Sequence, residues 1–115
     1  MNLDSPLVVN FKQALNILSK ETYDTTISKG FNYNNKGEQI ALFHSELSEG
    51  LEAIRHNDPP DDKIPEVSSL TAELADCVIR IMGFCHAHNL PLSEAIIAKM
   101  NYNKSRPNKH GGKNF

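Results

Sequence analysis

The sequence predicts an all-α domain, an antiparallel bundle of four helices. Three observations carry that prediction. Apolar residues recur at helical spacing in four separate segments, no segment alternates with the period of two that a half-buried strand requires, and most connections are short. Length and composition agree with one domain over 1–115: 115 residues that are 39% apolar and 23% charged suit a single globular unit and are too apolar for a disordered chain. No uninterrupted apolar run approaches the ~18 residues of a membrane-spanning helix. Asp4 stands among the first residues and no basic-then-apolar leader follows, so the expectation is a cytoplasmic protein.

Each element follows from local chemistry. Asp4-Ser5-Pro6 is a helix start, a capping side chain and then proline at the first helical position. Leu7, Phe11, Leu15 and Leu18 follow at helical spacing and place the first helix at roughly 6–21. Residues 22–37 hold Thr25, Thr26, Gly30, Asn32, Asn34, Asn35 and Gly37, which is loop chemistry. Phe31 and Tyr33 sit inside this loop, and two readings stand: rings that stack on a ligand, or plugs for the end of the bundle. The second helix, about 36–56, carries the stripe Ile40, Phe43, Leu47, Leu51 and Ile54. Pro59, Pro60 and Pro65 then interrupt any helix. The third, about 66–88, carries Leu70, Leu74, Cys77, Ile81 and Phe84. Asn89 ends it and Pro91 opens a fourth, about 91–104, with Leu92, Ala95, Ile96 and Met100. A basic stretch, 105–115, closes the chain. So small a bundle has little core per helix, and oligomerisation through the helices would bury more apolar surface.

Cys77 and Cys85 lie eight residues apart on the third helix. At ~1.5 Å rise per residue they are about 12 Å apart, too far to bridge, and read as buried reduced thiols. The histidines His44, His56, His86 and His88 form no ligand spacing with either cysteine.

Charge is asymmetric. Residues 1–98 carry all 14 acids against seven Lys and Arg, whereas residues 99–115 carry Lys99, Lys104, Arg106, Lys109 and Lys113 and no acid. An acidic body repels phosphate backbones, so no nucleic-acid partner is expected; the basic end instead suits a small anion or the body itself.

Two acid pairs stand out, Glu46-x-x-Glu49 on the second helix and Glu73-x-x-Asp76 on the third. Residues three apart are helix neighbours, and like charges there repel. Glu46 lies about 100° from the centre of its apolar stripe, on the side of Leu42 and Ala53, and Glu73 and Asp76 flank the stripe of the third helix. Four carboxylates converging at mid-bundle would need cations. Oxygen-only ligands suit Mg²⁺, with Mn²⁺ as the other candidate. A di-iron bundle would need Glu-x-x-His, which none of these glutamates begins. Arg80, one turn after Asp76, either orients that acid or reaches a phosphate. From spacing alone, solvated helix faces are an equal alternative for the acids, and a solvated end is the favoured reading of the basic stretch.

Glu46-x-x-Glu49, 23 residues, then Glu73-x-x-Asp76 resembles the signature of the MazG-like, all-α nucleotide pyrophosphohydrolases, and the run Lys99 to Lys113 looks like the phosphate-binding end of small members. The resemblance implies a MazG-like bundle working as a homodimer or a dimer of dimers. Glu46, Glu49, Glu73 and Asp76 would hold Mg²⁺, and Glu46 and Glu49 would serve catalysis, Glu49 by taking a proton from water. That water would attack the α-phosphorus of a nucleoside triphosphate and release a monophosphate and pyrophosphate, a nucleotide housecleaning reaction. Lys99, Asn103, Arg106, His110 and Lys113 would meet the phosphates. Members often set a Trp against the base; this chain has none, and Phe31 or Tyr33, or else Phe11 and Gln13 on the first helix, would substitute. The base stays open, and phosphoribosyl-ATP is a further substrate consistent with the resemblance. The alternative from another class is a non-catalytic bundle that binds an anionic ligand or a partner helix.

Overall fold

The computed structural model describes residues 1–106. They form four helices, α1 (Pro6–Ser28), α2 (Lys36–Arg55), α3 (Ser69–Ala87) and α4 (Leu92–Ser105). Among the described residues no β-strand forms, and one isolated bridge pairs Pro60 with Ser68. No described helix is long and apolar enough to cross a membrane. Three of the starts are capped by side chains that satisfy an otherwise orphaned N–H. Ser5 Oγ accepts from Val8 N at 3.2 Å, Asn35 Oδ1 from Glu38 N at 3.0 Å and Ser68 Oγ from Thr71 N at 3.2 Å.

The first helix runs two turns past its expected end near residue 21. Threonines at 22, 25 and 26 are poor helix formers, but packing against α3 overrides that preference. Tyr23 stacks on the Tyr33 ring at 5.9 Å and meets the His86 ring at 5.0 Å. Lys20 and Asp24 pair one turn apart at 2.6 Å. The helix stops at Lys29-Gly30, where Gly30 takes a φ of 89° that a side chain would resist. The other three helices lie within three residues of the predicted ends.

α3 is the centre of the bundle. α1 and α2 both pack along it, and α4 rests on α1. α2 and α3 run antiparallel: Phe43 meets Phe84 edge-on at 5.6 Å, Glu46 pairs with Arg80, and Gly50 lies against Leu70 and Glu73. A core of Tyr33, Phe84 and Cys85 is ringed by Tyr23, Phe43, Ile81 and Leu92. Tyr33 enters it from the α1–α2 loop. Its hydroxyl donates to Thr26 Oγ1 at 2.9 Å, and its carbonyl pairs with His88 Nε2 at 2.8 Å. Both cysteines are free and buried, as expected.

The predicted stripe of α3 does turn inward, with Cys77 and Phe84 buried and Ile81 against the core, but the stripes of α1 and α2 are largely exposed. On α2 the residues turned inward are Gln39, Glu46, Gly50 and Ala53, while Ile40, Leu47, Leu51 and Ile54 are 45–55% exposed. On α1 Val8 and Ser19 are buried, and Leu7 and Leu18 are exposed. Small residues let α2 approach α3 closely: a Cβ on Gly50 would stand 3.2 Å from Leu70 Cδ1 and 3.8 Å from Glu73 Cβ.

The connection between α2 and α3 is tied at several points. Asn57 and Asp58 take left-handed φ values of 61° and 48°. Asp58 Oδ1 accepts from Leu70 N at 2.8 Å, Pro59 O from Ser69 N at 2.7 Å, and Asp61 Oδ2 from Lys63 N and Ile64 N, each at 3.0 Å.

Gly83 makes room for Tyr33; a Cβ there would collide with the phenol hydroxyl and stand 2.8 Å from Cζ. Gly83→Ala is therefore expected to cost about 1–3 kcal/mol of stability, measured by denaturant unfolding, through displacement of a core ring. Replacing Tyr33 by Leu in the same background should recover part of that loss.

Candidate functional site

The acid pairs are positioned by the α2–α3 contact. Glu46 is 7% exposed, Glu73 is half-buried, and Glu49 and Asp76 are exposed. One carboxylate oxygen each from Glu46, Glu49 and Glu73 lies within 4.8 Å of the other two. Three of the four expected acids thus converge. Asp76 stands outside this trio on the same flank of α3, close enough for the charges of Glu46 and Glu49 to act on its carboxyl.

The trio is short of hydrogen-bond donors. Arg80 Nε donates to Glu46 Oε1 at 2.9 Å. Among the described residues, Glu46 Oε2 and Glu73 Oε2 are buried without a donor. What faces them is other carboxylates, which hydrogen-bond only when a proton lies between them. The upward shift falls on Glu73. Hydrogen bonding to Glu46, burial, and the nearby Glu49 push its carboxyl up to about 8. Burial also pushes Glu46 up, but hydrogen bonds from Glu73 and Arg80 and the guanidinium charge outweigh it, and the net direction is down. Asp76 is raised by burial and by Glu46, against the pull of Arg80.

Arg80 also opens onto a cavity of about 510 Å³ between α1, α2 and the loop before α2, lined by Thr26, Phe31, Asn32, Tyr33, Gln39 and Ile79. Phe31 is 69% exposed at its edge, whereas Tyr33 is 5% exposed and committed to the core. Of the two readings of these aromatics, Tyr33 is the plug and Phe31 the free ring. Gln39 is buried, and its amide donates a long bond, 3.4 Å, to Asn32 O.

The expected phosphate partners lie elsewhere in a single chain. Lys99, Asn103 and Arg106 stand on or just after α4, which packs on α1. Lys99 Nζ and the Arg106 guanidinium lie over the Tyr102 ring, 5.1 and 5.6 Å from its centre. Among the described residues, no hydrogen bond or ion pair joins them to the acids. His110 and Lys113 lie outside the described residues.

One participant was read with another partner, and one went unread. Arg80 was expected beside Asp76 and instead pairs with Glu46, across the helix interface. Gln39 sits seven residues, two helical turns, before Glu46, and that spacing was the signal that both share the inward face. Comparison of the chain with models of known protein families, with curated proteins and with solved structures returned no match.

The raised Glu73 carboxyl fixes a pH dependence. Its folded-state value lies above the ordinary 4.5, so the fold keeps a proton that the unfolded chain releases. This contribution is full below 4.5 and is lost as pH rises through about 8. Glu46, shifted downward, acts in the opposite sense and in a lower window. Thermal melting in chelator should therefore show stability falling between about pH 5 and pH 8, with a shallower fall in Glu73→Gln. Equal slopes in the two proteins would exclude Glu73 as the titrating group.

Proposed function

We propose that this chain is a MazG-like, Mg²⁺-dependent nucleoside triphosphate pyrophosphohydrolase. One observation carries the reading: Glu46, Glu49 and Glu73 converge from two helices, with buried oxygens on Glu46 and Glu73 that lack donors, beside a cavity with an aromatic edge. The donor set fits a hard divalent cation, Mg²⁺ or Mn²⁺, because it offers carboxylate oxygens and neither thiolate nor imidazole. Glu46, Glu49 and Glu73 would hold it, with Asp76 on the same flank of α3 as the fourth ligand. When bound, such a cation neutralises phosphate oxygens and lowers the pKa of a water.

The chain's own groups account for the rest. Glu49, the exposed member of the trio, takes the proton of the attacking water. The water oxygen bonds to the α-phosphorus, the bond to the oxygen bridging the α- and β-phosphates breaks, and a nucleoside monophosphate and pyrophosphate leave. Phe31 stacks on the base at the cavity edge, with Tyr33 as the rigid floor beneath it. Lys99, Asn103 and Arg106, with His110 and Lys113, serve the phosphates in this reading. The role is cytoplasmic nucleotide housecleaning, with no membrane or nucleic-acid partner.

The same reading includes a homodimer or dimer of dimers. Its support is the outer face of α2, where Ile40, Leu47, Leu51 and Ile54 are half exposed in a single helix stripe. Burying such side chains against a second copy removes apolar area from water at about 25 cal/mol per Å².

Pyrophosphate release from a panel of deoxynucleoside triphosphates with Mg²⁺ tests the activity. Glu49→Gln is expected to lower turnover by about 10²–10⁴-fold, and no turnover of any nucleotide by the parent would remove the reading. Sedimentation tests the assembly: the parent should run as a dimer or tetramer, and Leu47→Glu combined with Leu51→Glu should run as a monomer with unchanged helical content.

A further inference from the structure

Arg80 is the charged neighbour of the acids that the proposed reaction leaves without a task. It stands on α3 seven residues after Glu73, two helical turns, and so on the same face. Its Nε holds Glu46 Oε1 at 2.9 Å. The residue also lines the 510 Å³ cavity together with Phe31, Asn32 and Gln39. The Glu46 side chain is 9% exposed and its Oε2 has no donor, while the Arg80 side chain is 40% exposed. One partner is therefore fixed and the other free to turn.

We propose that Arg80 is the resident counter-cation of the acidic cluster, and that it exchanges Glu46 for an anionic group of the cavity's ligand when a divalent cation enters. The inference rests on the metal reading of the cluster. A guanidinium keeps its charge at any ordinary pH, so Arg80 repels a divalent cation held by the same carboxylate. Releasing Glu46 relieves that repulsion and leaves a planar fork of N–H donors at the cavity wall. Such a fork matches phosphate oxygens two at a time. Without a divalent cation the guanidinium is taken up by Glu46, and anion affinity is low. With one it is available, and anion affinity is high. Metal occupancy then precedes and strengthens ligand binding, through one side chain with two alternative partners.

Calorimetry with Mn²⁺ alone tests the first half. Arg80→Gln should bind Mn²⁺ roughly tenfold more tightly than the parent, Arg80→Lys should stay near the parent, and metal-free Arg80→Gln should melt at a lower temperature. Equal or weaker Mn²⁺ binding by Arg80→Gln overturns the inference and makes Arg80 a positioning group for Glu46. Absence of Mn²⁺ binding by the parent overturns the metal reading itself. A measurement on the parent covers the case in which Arg80→Gln does not fold: the Arg80 Nε–H resonance should move to the position of a free guanidinium as Mg²⁺ is added, and a stationary resonance overturns the exchange. Inorganic pyrophosphate tests the second half. It should bind the Mg²⁺-loaded parent at least tenfold more tightly than Mg²⁺-loaded Arg80→Gln, and equal binding overturns the ligand role.

Discussion

Carboxylates repel one another, and burial makes the repulsion worse by removing the water that screens it. This bundle nevertheless brings Glu46, Glu49 and Glu73 together on the contact between α2 and α3, with Glu46 almost wholly enclosed. The observed counter-charge is the Arg80 guanidinium on Glu46, and the crowding raises the Glu73 carboxyl to about 8, which favours its neutral form. The rest of the helix pair is built around that need. Gly50 brings α2 close to Leu70 and Glu73, Ala53 and Ala72 keep the interface narrow, and the aromatic pair Phe43–Phe84 closes the seam toward the end of α3.

α2 consequently inverts the usual distribution. Glutamate and glutamine face inward, and isoleucine and leucine face outward. Scattered exposed apolar side chains need no explanation, but four in one stripe on one helix do. The two faces differ in kind: the inner one assembles charged groups against α3, and the outer one carries half-exposed apolar side chains.

Much of the fold was legible because it is written in local chemistry. Caps at Ser5, the prolines of the second loop, Asn89 and Pro91 act within a few residues, and the helices begin and end near them. The end of α1 was not legible, because Tyr23 and Thr26 are held helical by contacts with Tyr33 and His86 far along the chain. The site was legible in part. The spacing of the acids placed Glu46 and Glu73 on the flanks of their stripes, and those flanks meet. The expectation that each apolar stripe faces inward holds for α3, where Cys77 and Phe84 are buried, and fails for most of α2, where Glu46, Gly50 and Ala53 take the inner face. Arg80 was misassigned because intrahelical spacing favours Asp76, whereas the enclosed Glu46 offers the stronger attraction across the interface. Tyr33 could be told from Phe31 only once Gly83 was seen to leave a notch for one ring.

The stretch after α2 carries Asp61, whose charge acts on the Asp76 carboxyl, and it also fixes where α3 begins. Asp58 and Pro59 grip the first N–H groups of α3, while the bridge from Pro60 to Ser68 closes the loop behind them. Sliding α3 by one residue would turn it by ~100° and carry Glu73 away from Glu46 without altering either helix. Phase, more than composition, is what this connection supplies. Lengthening or relaxing it would shift Glu73 against Glu46 while sparing both helices.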